Sequence, residues 1–402
     1  MITIETTGRL ITVGVFGEFA LADFQRFERE VLETLRVAGR VDLLLDLRDM
    51  QGYTLDVAWE DLRFVRAHAH DFRRVAVVSS QRWHGWLAWV NRLLVDAQVQ
   101  LFEREDGARH WLAAETEPAP RFTNWSTLVS IADLAAHLHD PGVVVFDCRH
   151  DLMKPGYGAD AYRAAHLPGA RFASVDRDLA GPVTGRNGRH PLPDPRVFVD
   201  WLGRMGVSND TQVVAYDQAG GLYAARLWWM LKHWFGHHRA AVLDGGWELW
   251  VRTGHLVTDA VPAPIATSFQ GTPGDASVTV DEVLAHLGDG SMHIVDARAA
   301  DRFRGENETI DPVGGHIPGA ANRFFRDNLD ALGFFRPRQE LRTAFEAVAA
   351  GRPAHVLVHQ CGSGISACHN LLAMDIAGLS GSRLYAGSWS EWCADPARPV
   401  ER

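Results

Sequence analysis

Cysteine is scarce in this chain: Cys148, Cys361, Cys368 and Cys393 are the four in 402 residues. They are too few and too unevenly spaced for a disulfide framework, and no Cys-x-x-Cys pair marks a zinc site. Positive charge is short as well, with 40 Lys and Arg against 50 Asp and Glu and a formal net charge of -10. That balance speaks against non-specific binding to nucleic acid or to an anionic membrane surface. It leaves room for an anionic substrate, because one local Arg can dominate a cleft. No uncharged apolar run approaches the ~20 residues that span a bilayer. The opening Met1-Ile2-Thr3-Ile4-Glu5 lacks the basic and apolar regions of a signal peptide. The expectation is a cytoplasmic protein, in a reducing compartment where a thiol stays free.

What is present is a globular composition, 47% hydrophobic and 22% charged. At roughly 150 residues per domain, the length suggests two or three domains. Residues 1–117 read as a small α/β unit. Leu10 to Phe16, Val41 to Leu47, Val75 to Val78 and Val99 to Phe102 have strand patterns. Leu21 to Val37, Trp59 to Ala69, Trp83 to Leu94 and Ala108 to Ala114 have helical spacing. Glu115 to Pro120 is polar, carries two prolines and reads as a linker.

The remainder repeats. Val144-Val145-Phe146-Asp147-Cys148-Arg149, His166-Leu167-Pro168-Gly169-Ala170, the strand ending at Asp217, and Gly245-Gly246-Trp247 form one series. His293-Ile294-Val295-Asp296-Ala297-Arg298, His316-Ile317-Pro318-Gly319-Ala320, the strand ending at Cys361, and Gly387-Ser388-Trp389 form a second. The landmarks keep their order at offsets from 142 residues (Trp247 to Trp389) to 150 (His166 to His316). Each copy alternates short apolar runs with helical stretches, which predicts a parallel sheet covered by helices. The expected copies are 127–258 and 277–402, joined through the Pro- and Gly-bearing stretch Pro262 to Pro273.

Asp217 and Cys361 occupy the same place in the two copies, directly after a buried strand and before a helix. Ligands sit beyond the carboxyl ends of parallel strands in such folds. The loop Cys361-Gly362-Ser363-Gly364-Ile365-Ser366 has glycines that let successive N–H groups point inward, and an N–H nest at a helix N-terminus favours an anion. That anion is either the Cys361 thiolate, the nucleophilic form of cysteine, or a persulfide built on it. The competing reading is a buried structural cysteine. Cysteine phosphatases use a related loop but require Cys-x5-Arg; six residues after Cys361 stands Ala367, so loop size and charge disfavour phosphate ester hydrolysis. Cys148 and Cys368 read as packing residues. His233 and His237-His238 show no metal-ligand spacing.

Residues from about 127 to 402 resemble the tandem-rhodanese sulfurtransferases. The loop is similar to the Cys-Gly-Ser-Gly-Val-Thr of the 3-mercaptopyruvate branch, and it lacks the Arg and Lys that follow the cysteine in the thiosulfate branch. The resemblance implies an inactive first copy, consistent with Asp217, and an active second copy. It further implies a catalytic set of Cys361, Ser363, His190 and Asp176, the last two reaching over from the first copy. For Asp176 the alternative is a cap or turn former, and for His190 a surface-loop histidine. The loop residues Gly362, Gly364, Ile365 and Ser366 would hold the substrate. Arg302 would hold its carboxylate, with Arg304 as the neighbouring alternative. A second Arg expected about nine residues on is replaced by Thr309-Ile310-Asp311-Pro312, which bears on which donor is used. The implied reaction moves sulfur from 3-mercaptopyruvate or thiosulfate to a thiol, such as a thioredoxin-like protein, or to cyanide. It needs no cofactor and no metal. A non-catalytic sulfur-relay or regulatory module is the reading from another class. Residues 1–117 resemble the STAS-like, SpoIIAA-like domains in general shape, and no nucleophile, phosphate loop or metal set is found there.

Overall fold

A computed structural model of the chain describes residues 1–38, 40–54, 71–79, 97–113 and 124–402. The helices expected at Trp59 to Ala69 and Trp83 to Leu94, and the linker Glu115 to Pro120, lie outside the described residues. The chain forms two compact units, Met1–Thr123 and Asn124–Arg402. Both sequence copies fall within the second.

In the first unit the strands are β1 (Ile2–Thr7), β2 (Leu10–Val15), β3 (Gly17–Phe19), β4 (Val41–Asp46), β5 (Met50–Tyr53), β6 (Phe72–Val78) and β7 (Gln98–Phe102). A five-stranded sheet runs β1-β2-β4-β6-β7. Only the β1–β2 pairing is antiparallel; the β2–β4, β4–β6 and β6–β7 pairings are parallel. The helix Leu21–Ala38 lays Phe24, Phe27 and Val31 into a core with Ile11, Val13, Leu43 and Val75. The helix Glu105–Ala113 starts three residues before the spacing predicted, with Glu105 and Asp106 at its positive end.

In the second unit the strands are β8 (Leu128–Val129), β9 (Val143–Asp147), β10 (Arg171–Phe172), β11 (Gln212–Tyr216), β12 (Ala240–Leu243), β13 (Ser277–Val278), β14 (His293–Asp296), β15 (Ala321–Asn322), β16 (Leu357–Gln360) and β17 (Arg383–Tyr385). They build two sheets, ordered β10-β9-β11-β12-β8 and β13-β17-β16-β14-β15. Read from opposite ends, these are one topology used twice. Every pairing in both is parallel. The repeated Asp-x-Arg landmarks are buried ion pairs. Arg149 grips Asp147 at 2.6 Å and lies over Trp247 at 4.0 Å; Arg298 grips Asp296 at 2.7 Å and lies over Trp389 at 4.7 Å.

The central strands β11 and β16 deliver Asp217 and Cys361 to the ends of their sheets. The helices that follow, Ala224–Trp229 and Ser366–Ala377, are buried nearly all round and pack against each other. One apolar core therefore runs through both copies, taking Leu227 and Trp228 from the first and Leu371 and Leu372 from the second. The joining stretch is not a loose tether. It hydrogen-bonds Thr267 N–H to the Gly203 carbonyl and buries Phe269 in the same core.

Candidate active site

Cys361 is a free thiol, 2% exposed. Its own backbone is fastened first: its N–H donates to Ser388 Oγ at 3.1 Å, and its carbonyl accepts from Trp389 N–H at 2.9 Å. The loop then folds over the sulfur, and Gly364 N–H donates to Cys361 Sγ at 3.1 Å. Gly364 has φ +79°, and a Cβ there would lie 2.4 Å from the Ala386 carbonyl oxygen. Only glycine allows that approach. Ile365 is buried, and Ser366 opens the helix.

Asp217 sits at the matching point of the first copy. Its carboxylate accepts four backbone N–H groups: Ala219 at 2.7 Å, Gly221 at 3.0 Å, Tyr223 at 2.7 Å and Ala224 at 2.8 Å. Burial still pushes its pKa up against those four bonds. A loop of this design is thus an anion receptor, and in the first copy a side chain of the protein fills it.

Three more of the expected residues come together beside Cys361. Ser363 Oγ lies 2.8 Å from His190 Nδ1, and His190 Nε2 lies 3.1 Å from Asp176 Oδ1. Ser363 and His190 are 173 residues apart in the chain. The hydrogen bond from His190 holds the Asp176 carboxyl below its usual range, against partial burial. An ionised Asp176 accepts the proton on Nε2, which leaves Nδ1 to accept the Ser363 hydroxyl. The tautomer follows from that network.

Arg302 stands beside the loop, with Nη1 and Nη2 each 3.8 Å from the point a Cβ on Gly362 would occupy. Its Nη2 bonds Glu308 at 2.8 Å and Asp311 at 3.2 Å. Arg304 points elsewhere: it is exposed and pairs with Glu306 at 2.7 Å.

Two residues escaped the sequence reading. Arg189 places Nη2 2.8 Å from that same Gly362 Cβ position and forms an ion pair with Asp311. Arg226 is fully buried and bridges the two copies, donating to the His190 carbonyl at 3.0 Å and the Gly364 carbonyl at 3.3 Å. Burial works against its charge and lowers its pKa. An Arg two residues into a helix carries no local signal of such a task. Cys368 donates to the Gly364 carbonyl at 3.3 Å, and burial pushes its thiol up to about 12. It is packing rather than a nucleophile.

Among the described residues, the cluster spaced to hold a metal ion is His150, Asp176 and His190, with one donor atom from each within 4.8 Å of the others. Asp176 and His190 are already bonded to each other there. His233 and His237 are held apart by separate partners, Asp375 and the Thr211 carbonyl.

The described helices include none long and apolar enough to cross a membrane. The model of the Rhodanese-like domain family matches residues 130–253 and 279–395. The chain belongs to the rhodanese family of sulfurtransferases. The SpoIIAA-like family matches residues 10–113. A protein of Pseudomonas aeruginosa named "Probable 3-mercaptopyruvate sulfurtransferase" is 48% identical over 277 residues, which is 68% of this chain and 97% of that protein. The thiosulfate sulfurtransferase of Cricetulus griseus is 36% identical over 262 residues, 63% of this chain and 85% of its own. Among solved structures, the 3-mercaptopyruvate sulfurtransferase from Leishmania major superposes with a TM-score of 0.60 at 30% identity, over 68% of this chain and 75% of its own. As a rhodanese sulfurtransferase, the chain uses one of its two equivalent loops to carry a cysteine.

Proposed function

We propose that the second copy transfers the sulfur of 3-mercaptopyruvate through a persulfide on Cys361. The observation that carries this reading is the meeting of Cys361 Sγ, in a loop that donates Gly364 N–H to it, with the Ser363–His190–Asp176 chain. The Cys361 thiolate attacks the donor's thiol sulfur, forming an S–S bond as the donor's C–S bond breaks. The carbon leaves as the pyruvate enolate. The donor's thiol proton passes through Ser363 and His190 to that carbon, and Asp176 steadies the imidazole. The products are pyruvate and a Cys361 persulfide. The persulfide's charge rests among the loop N–H groups of Gly362, Gly364, Ile365 and Ser366, as the Asp217 carboxylate does in the first copy. An acceptor thiolate, from a small thiol or a thioredoxin-like protein, or cyanide, then attacks the outer sulfur and frees Cys361. Four free cysteines suit a reducing compartment such as the cytoplasm.

The second reading keeps the persulfide but takes thiosulfate as donor. It is favoured by the thiosulfate sulfurtransferases at 36% identity and disfavoured by the uncharged residues after Cys361. Mass spectrometry after incubation with 3-mercaptopyruvate should find one added sulfur on Cys361, and Cys361→Ser should release no pyruvate. A serine variant with wild-type pyruvate release would sink the mechanism. Initial rates with the two donors decide between the readings.

A further inference from the structure

A donor of this class carries a carboxylate next to a ketone, and that charge has to be met within reach of Cys361. The sequence places one guanidinium there, Arg302. Nine residues on stands Asp311, an anion that would by itself repel a carboxylate. The fold brings a second guanidinium from the other copy. Arg189 precedes His190 in the first copy, and its N–H donates to Ser390 Oγ at 3.1 Å, which fastens it to the second. Its Nη2 and the edge of Arg302 converge on Gly362, at 2.8 Å and 3.8 Å from the same point.

Asp311 is what aligns them. Its side chain is nearly fully buried between the two, Oδ1 accepting from Arg189 Nη1 and Oδ2 from Arg302 Nη2. Glu308 occupies the remaining edge of Arg302, accepting from Nε at 3.1 Å. Both guanidiniums are thereby held from behind, which leaves Nη1 of Arg302 and Nη2 of Arg189 uncommitted beside Gly362. Arg189 also has an unmet need: its Nε is buried without a hydrogen-bond partner. A buried charged donor left unpaired is costly, and a bound anion would relieve it.

We propose that Arg189 and Arg302 form a two-guanidinium clamp for the carboxylate of an α-keto acid donor, with Asp311 as the strut between them. The clamp rests on the mercaptopyruvate reading above. It is split between the copies, so the catalytically silent copy sets donor specificity as well as lending His190 and Asp176. A carboxylate has two oxygens, enough to accept from both guanidiniums at once through charge-assisted hydrogen bonds.

The test separates recognition from chemistry by using the full-length Cys361→Ser protein and pyruvate as the probe, read by calorimetry. Arg189→Lys keeps a cation for Asp311 but removes the fork; Arg189→Ala with Asp311→Asn removes the pair together. Each should weaken pyruvate binding on the order of 10- to 100-fold with the thermal midpoint of the lysine variant unchanged. With Cys361 restored, Arg189→Lys should raise KM for 3-mercaptopyruvate by a similar factor, with a smaller change in kcat. Pyruvate bound equally by the parent and both variants overturns the clamp. That outcome is distinct from failure of the persulfide mechanism, which the calorimetry does not read.

Discussion

Gly364→Ala is the sharpest perturbation of the loop. The new methyl group would stand 2.4 Å from the Ala386 carbonyl oxygen, where ordinary contact begins at 3.4 Å, so the backbone must part by 1.0 Å (3.4 − 2.4). The obstacle is backbone, which cannot swing aside. The alanine must also hold φ +79°, a left-handed conformation that costs about 1–2 kcal/mol outside glycine. Overpacking adds about 1–3 kcal/mol, giving a total of roughly 2–5 kcal/mol if the loop stays in place. If the loop yields instead, the Gly364 N–H leaves Sγ, and a shift of about 1 Å at a reacting centre costs on the order of 100-fold in rate. Urea unfolding followed by tryptophan fluorescence measures the first quantity, and pyruvate release the second. Gly362→Ala is the contrasting variant: its methyl group meets the movable end of Arg189 at 2.8 Å. It should keep near wild-type stability and raise the donor's KM. A Gly364→Ala protein with wild-type unfolding midpoint and wild-type kcat/KM would refute this account of the loop.

Two further outcomes follow from the same contacts. His190→Ala should lower kcat by about 100-fold or more, and Ser363→Ala by a smaller factor, in single-turnover pyruvate release with Cys361 still able to take one sulfur; an unchanged kcat in both would remove the relay from the mechanism. Asp375 ties helix Ser366–Ala377 to Lys232 at 2.8 Å and His233 at 3.1 Å across the copies. Burial opposes its charge, but the bonds from His233 and Lys232 outweigh burial and hold its pKa at about 2. Because the folded value lies below the unfolded one of 3.8, the ion pair stabilises fully above about pH 4 and is lost as pH falls through 2. Its worth at neutral pH is about 2 kcal/mol. Asp375→Asn should therefore lower the urea midpoint at pH 7 and approach wild type in strong acid, and a deficit constant over that range would argue against the linkage.

The legible parts of this molecule were those written as local patterns. Apolar runs placed the central strands within a residue or two, and the recurrence of Asp-x-Arg, His-x-Pro-Gly-Ala and Gly-x-Trp announced one topology used twice. The Cys361 loop was legible because its chemistry depends on a contiguous stretch of backbone. His190 and Asp176 were reached only through a family resemblance, since nothing near them in sequence says that they meet Ser363. Arg189 was missed for the same reason in stronger form. Its partner Asp311 is 122 residues away, and Asp311 looked like the loss of a cation rather than the seat of one. Arg226 had no signal at all, because a helical Arg is ordinarily solvated and its burial arises only where two copies share a core.

The Asp217 loop carries one more consequence. A carboxylate bears its charge on atoms beyond the attachment point, as a persulfide does. The first copy therefore carries in its own side chain the kind of charge that the proposed persulfide would bring to the second, with four N–H donors already on it.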